Sequence, residues 1–239
     1  MEQIKSELVA LRLSGMAATL KTLEESRKIH ELSFADGLRL LIRGERDQRE
    51  ANRYTRLVKN ASFRYRATPE ELSFDTSRGM DKVQILSLAT GNYIRQGESI
   101  LITGATGCGK SFIASALGYQ ACKQGFSVYY FGMQKLMAKI KIARVEGVVM
   151  RLFEKLAKTD LLIFDDFGIG TIDNQQQLDF MEIIEDRHAR KATIIASQLP
   201  PASWFDLFSD ETIADAFMDR MIHTSHRIEL KGDSLRKKR

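Results

Sequence analysis

The octapeptide Gly104-Ala105-Thr106-Gly107-Cys108-Gly109-Lys110-Ser111 constrains the fold of this 239-residue chain more than any other stretch. It fits G-x-x-x-x-G-K-[ST], with the apolar run ILIT before it and the helix-like run FIASALGYQAC, beginning at Phe112, after it. A strand, a glycine loop and a helix in that order form the context that gives the pattern its meaning. Glycines let the loop turn its N–H groups inward around a phosphate, and the following helix aims its positive end at the same point. The expectation is a nucleotide cradle over residues 104 to 112. In it Lys110 reaches the β and γ phosphates of ATP and Ser111 offers its hydroxyl to Mg²⁺.

A second segment, Leu161-Leu162-Ile163-Phe164-Asp165-Asp166, completes the pattern. Four apolar residues predict a buried central strand. Two carboxylates at its carboxyl end cannot be buried without a partner, and such strand ends are where doubly wound sheets bind ligands. Asp165 is expected to hold Mg²⁺ through water. Asp166 occupies the place where many such sites carry a Glu that polarises the attacking water, and its side chain is one methylene shorter. The run Ala192–Ser197 predicts another strand, followed by Gln198. If it lies between the strands ending at Thr103 and Asp165, either Gln198 or Ser197 reaches the γ-phosphate or the water. Otherwise both are an ordinary polar strand end.

Strands are predicted at Ser99–Thr103, Ser127–Phe131, Leu161–Asp165, Ala192–Ser197 and Arg227–Leu230, alternating with helical stretches. That alternation predicts an α/β fold, a P-loop NTPase with a parallel five-stranded sheet and helices on both faces. Residues 1–66 read as a small all-helical domain, with Leu8, Leu11, Met16, Leu20 and Leu23 at helical spacing and Ser33 with Asp36 as a helix start. Residues 67–97 read as a connector at the start of the second domain, 67–239, with turn signals at Pro69, Gly79, Gly91 and Gly97. No apolar run approaches the roughly 18 residues of a spanning helix, and the first residues lack a signal-peptide core. The expectation is a cytoplasmic protein without membrane contact. Two cysteines, Cys108 and Cys122, and four histidines offer no metal-ligand spacing.

Lys plus Arg exceeds Asp plus Glu by 36 to 31, a net charge of +5 that matters only where it is concentrated. Arg39, Arg43, Arg46, Arg49, Arg53, Arg56 and Lys59 follow one another at gaps of three and four residues. Such residues are helix neighbours and form one winding row. Glu45, Asp47 and Glu50 are interspersed with it, and Arg64 and Arg66 extend it. A solvated helix face is one reading. The excess of cations favours contact with the phosphates of double-stranded DNA, without base-specific reading.

These residues together give the chain a family likeness. GATGCGKS, LLIFDDFG, TIIASQLP, DAFMDRMIH, HRIELKGDSLRKKR and the stretch GMDKVQILSLATGNYI resemble the AAA+ ATPases of the IstB/DnaC family, and within it the IstB transposition helpers. The resemblance spans essentially the whole chain. It implies that Gln198 is a sensor residue and that Arg220 is an arginine finger acting in a neighbouring subunit's site. Arg236 would be a second nucleotide-sensing arginine. It also implies that the insert Met133 to Thr159, with Lys139, Lys141 and Arg144, helps face DNA and shapes a spiral oligomer. Only nine residues follow Leu230, which leaves no room for the helical lid domain common in AAA+ proteins. The implied function is an ATPase that oligomerises on duplex DNA with ATP at subunit interfaces and recruits a partner transposase. A DnaC-like helicase loader is the alternative, and a scaffold using ATP only as a structural ligand is a third.

Overall fold

The computed structural model describes residues 1–27, 30–222 and 225–235. They form two compact units, Met1–Arg56 and Leu57–Arg239. The sequence places the boundary at 66. Leu57, Val58 and Phe63 belong to the second unit because they pack against its core.

The first unit contains α1 (Glu2–Ala10), α2 (Ser14–Glu25) and most of α3 (Phe34–Ala61). Ser33 starts α3, its Oγ accepting from the Asp36 amide at 3.2 Å. Gly44 lets α2 and α3 approach closely, since a Cβ there would fall 1.9 Å from Thr19 Oγ1. Glu45 is buried at this contact. Its Oε2 accepts from the Gly15 and Met16 amides at 2.8 and 3.2 Å, satisfying the N–H groups that a helix start leaves open.

In the second unit α4 (Lys82–Ala89) and α5 (Asn92–Gln96) come first. Both lie in the stretch read as a connector. The glycines that signalled turns, Gly91 and Gly97, stand at the two ends of α5, which is too short to register a helical period. Then follow β1 (Ser99–Gly104), α6 (Lys110–Lys123), β2 (Val128–Gly132), α7 (Met133–Val145), α8 (Val149–Lys158) and β3 (Leu161–Phe167). The unit closes with α9 (Asn174–Arg187), β4 (Ala192–Ser197), α10 (Glu211–Ile222) and β5 (Ser225–Leu230).

The five strands form one parallel sheet in the order β2-β3-β4-β1-β5. Its inner strands carry apolar side chains to both faces, because both faces are covered. Ile100, Ile102, Ile163 and Ile194 join the core under α6. Leu101, Leu162, Phe164 and Ile195 join the opposite core, where Trp204, Phe180 and Phe217 form an aromatic cluster. Arg187 is buried, and it donates to the carbonyls of Leu156 and Thr159 at 2.6 and 2.7 Å, tying the end of α8 to the foot of the sheet. Among the described residues no helix is long and apolar enough to cross a membrane.

Candidate nucleotide site

The loop between β1 and α6 sits at the carboxyl end of the sheet, beside the ends of β3 and β4. Gly104 and Gly107 have φ of 144° and 83°, angles that L side chains rarely adopt. A Cβ on Gly107 would also fall 2.1 Å from Ser234 Oγ. The chain after β5 lies close over the loop: the Leu235 amide donates to Gly107 O at 3.0 Å, and Cys108 Sγ donates to Gly232 O at 3.2 Å. Cys108 is therefore a buried packing residue. Cys122 is buried too, and burial pushes its thiol up to about 12.

Lys110 opens α6 and its Nζ donates to the carbonyls of Gly104 and Ala105 at 2.7 and 2.9 Å. Asp165 is 1% exposed. Its Oδ2 accepts from the Tyr130 hydroxyl and, at 3.3 Å, from Arg64 Nη1. Its Oδ1 is buried and has no hydrogen-bond partner. A bare buried carboxylate oxygen is costly, and that atom fits a cation. Among the described residues no three His, Cys, Asp or Glu form a metal cluster. Magnesium would thus be held by few protein groups, Ser111 and Asp165, with phosphate oxygens and water for the rest.

Asp166 has φ of 58°, a left-handed angle that Asp tolerates better than most residues. The cause is a bulge: Phe164 pairs with Ile195, but the next pair is Phe167 with Ser197. One extra residue on β3 breaks the alternation there and re-aims the side chains. Asp165 and Asp166 consequently converge on the same guanidinium, with Asp166 Oδ2 accepting from Arg64 Nη1 at 2.9 Å. Partial burial works against the Arg64 charge, and Tyr65, Asp166 and Asp165 outweigh it, so its pKa is held above the ordinary arginine value.

β4 does lie between β1 and β3, and this separates the two candidates at its end. Ser197 is buried and donates to Phe167 O at 2.8 Å, which makes it a link between strands. Gln198 lines the pocket, its Oε1 accepting from the Thr106 hydroxyl at 2.6 Å. The pocket measures about 520 Å³. It is walled on one side by Tyr65, Arg66 and Phe112, and the rings of Tyr65 and Phe112 lie 6.5 Å apart. Arg64 and Arg66 therefore belong to this pocket, and the basic row does not run on through them. Arg64 and Tyr130 were not legible as site residues, because no motif surrounds either.

Residues 6–239 match the family described as IstB-like ATP binding protein. The chain belongs to that family. Over 231 residues it is 37% identical to the insertion sequence ATP-binding protein y4pL of Sinorhizobium fredii, covering 97% of this chain and 94% of the relative. It is 40% identical over 199 residues to the insertion sequence IS1162 ATP-binding protein of Pseudomonas fluorescens, covering 83% and 86%. Among solved structures, a DnaC helicase loader aligns with a TM-score of 0.59 at 20% identity, over 69% of this chain and 97% of that one. The replication initiator DnaA bound to AMPPCP and single-stranded DNA aligns with a TM-score of 0.59 at 22% identity, over 70% and 50%. At such identities the likeness is one of fold, and that fold is AAA+.

Of the remaining candidate residues of this IstB-like chain, Arg220, Lys139, Lys141 and Arg144 do not line the pocket. Arg220 is near Ser99 and Thr193, which stand at the start of β1 and β4. That is the opposite end of the sheet from Gly104, about 17 Å away at the rise of an extended strand. There Arg220 Nε pairs with Glu185 Oε2 at 2.5 Å. Arg236, with the basic tail, lies outside the described residues. Arg43, Arg46, Arg49, Arg53 and Arg56 are all exposed on α3. Arg49 pairs with Glu45 at 2.7 Å, and Arg43 is 3.8 Å from Asp47. Lys139 and Lys141 are exposed on α7, whereas Arg144 is paired with buried Asp179.

Proposed function

We propose that this protein is a Mg²⁺-dependent ATPase that assembles on duplex DNA and recruits a partner transposase. The observation that carries the nucleotide site is the buried, partnerless Oδ1 of Asp165 at the mouth of a glycine phosphate loop. The loop amides and the start of α6 receive the phosphates. Lys110 leaves its two carbonyls for the β and γ oxygens. Ser111 and Asp165 hold the metal, which when bound neutralises charge on those phosphates. Asp166 and Gln198 reach the far side of the γ-phosphate and orient the attacking water, Asp166 accepting its hydrogen bond.

Arg220 cannot serve its own pocket from the other end of the sheet, which supports a role in the site of a second subunit. ATP then lies between subunits, and the oligomer aligns the α3 arginines along DNA. The insertion-sequence origin of the curated relatives favours a transposase over a helicase as the partner. Calorimetric titration tests the foundation: wild type binds Mg-ATP, and Lys110→Ala does not bind it tightly. Equal affinity for the two proteins would overturn the site. Copurification with a transposase or with a hexameric helicase separates the two partner readings.

A further inference from the structure

Arg64 stands where no sequence rule places a cation. One nitrogen, Nη1, lies 2.9 Å from Asp166 Oδ2 and 3.3 Å from Asp165 Oδ2, so a single guanidinium bridges both carboxylates that end β3. Adjacent carboxylates repel, and a guanidinium between them offsets that repulsion. Arginine does not lose its proton in proteins, so the bridge is a permanent positive charge beside the position a dication would take between Asp165 and Ser111. The backbone that aims Arg64 is anchored: Phe63 stacks on Tyr119 with ring centroids 4.4 Å apart and meets Tyr130 edge-on at 6.3 Å. The Arg64 side chain itself is 43% exposed. It also lines the pocket.

The two oxygens of Asp165 have different fates. Oδ2 is taken by Tyr130 and Arg64, while Oδ1 is left bare. We infer, on the reading that this pocket binds Mg-nucleotide, that Arg64 is an internal counter-ion for Asp165 and Asp166. It holds the two carboxylates in the nucleotide-free protein and yields Asp165 to the metal when nucleotide enters, turning toward the phosphates. It is a positioning residue: it sets how much metal the site requires, and through Asp166 it keeps the water-orienting carboxylate in place until the phosphates arrive.

The test follows thermal melting of the full chain at saturating ADP while Mg²⁺ is titrated, a readout that needs no turnover. In Arg64→Ala the metal no longer competes with a guanidinium, so the Mg²⁺ concentration at half-effect falls about threefold to tenfold. In EDTA the same variant melts lower than wild type, and adding Asp166→Asn recovers part of that loss by removing the repulsion. Arg64→Lys keeps the charge and moves the half-effect back toward wild type. Should the alanine variant fail to fold, Arg64→Gln makes the same comparison. A half-effect unchanged within twofold, with melting lowered equally at every Mg²⁺ concentration, would make Arg64 a structural ion pair and overturn the proposal. Absence of any ADP effect on wild type would be a different failure, that of the nucleotide site itself, and the proposal would fall with it.

Discussion

The Tyr130 hydroxyl donates a hydrogen bond to Oδ2 of Asp165 from the neighbouring strand. Burial first, and then the Asp165 charge, push the phenol up, so at neutral pH the hydroxyl keeps its proton and remains a donor. Tyr130→Phe keeps the ring against Phe63 and removes that donor. The expected cost is about 1–2 kcal/mol of stability by denaturant unfolding. Weaker Mg-ATP binding accompanies it, since Asp165 Oδ2 loses a donor that holds the carboxylate in place. Unaltered stability and affinity would show that neither side chain depends on the contact.

Asp166→Asn preserves shape but weakens the acceptor for the attacking water. ATP and DNA binding are expected to persist while steady-state phosphate release falls by an order of magnitude or more. Turnover at the wild-type rate would assign water orientation to another group and leave Asp166 as a partner of Arg64 alone.

Arg220→Ala is expected to bind ATP and hydrolyse it poorly, since arginine fingers contribute about 10³–10⁵ in rate in related phosphoryl transfers. Mixing discriminates the mechanism. Arg220→Ala subunits supply an intact phosphate loop and Lys110→Ala subunits an intact arginine, so a mixed interface recovers part of the activity. Co-assembly without recovery would place Arg220 in a structural role with Glu185.

Duplex DNA binding is expected to be ATP-dependent, weakly sequence-selective and steeply salt-dependent, each neutralised phosphate adding roughly −0.9 to the slope of log K against log salt. Arg46→Glu, Arg49→Glu and Arg53→Glu together flatten that slope and leave ATP binding unchanged. Arg49 is already held by Glu45. A wild-type slope near zero would exclude the α3 row as the DNA surface.

The α2–α3 contact is expected to loosen in acid. Arg49 foremost, against the opposing effect of burial, and then the Met16 and Gly15 amides hold the Glu45 carboxyl below its ordinary value near 4.5. A carboxyl with a depressed folded pKa contributes stability that is fully present above the unfolded value and disappears as pH falls through the folded one. Hydrogen-exchange protection in residues 14–25, corrected for the intrinsic rate at each pH, therefore falls below about pH 4.5 in wild type. In Glu45→Gln the protection is already reduced at neutral pH and changes little with acid. Equal protection in the two proteins at pH 7 would show that the carboxylate does not hold the start of α2.

What the sequence determined by itself is local. The glycines of the phosphate loop state their own backbone angles, the apolar run before Asp165 states a strand covered on both faces, and the period of α3 states its helix. Each depends on neighbours a few residues away, so each could be read directly, and so could the loop, Lys110, Ser111 and Asp165. Tertiary structure decided what had to cross the sheet. Strand order placed β4 beside β1 and separated Gln198 from Ser197, and one extra residue in β3 aimed Asp166 at the guanidinium of Arg64. Arg64 itself reaches carboxylates 101 and 102 residues further along the chain. No local pattern encodes such a meeting, because it arises from the packing of Phe63 against α6 and β2. By spacing alone Arg64 continues a row of exposed cations. The same fold sends Arg220 to the far end of β1, beside Glu185.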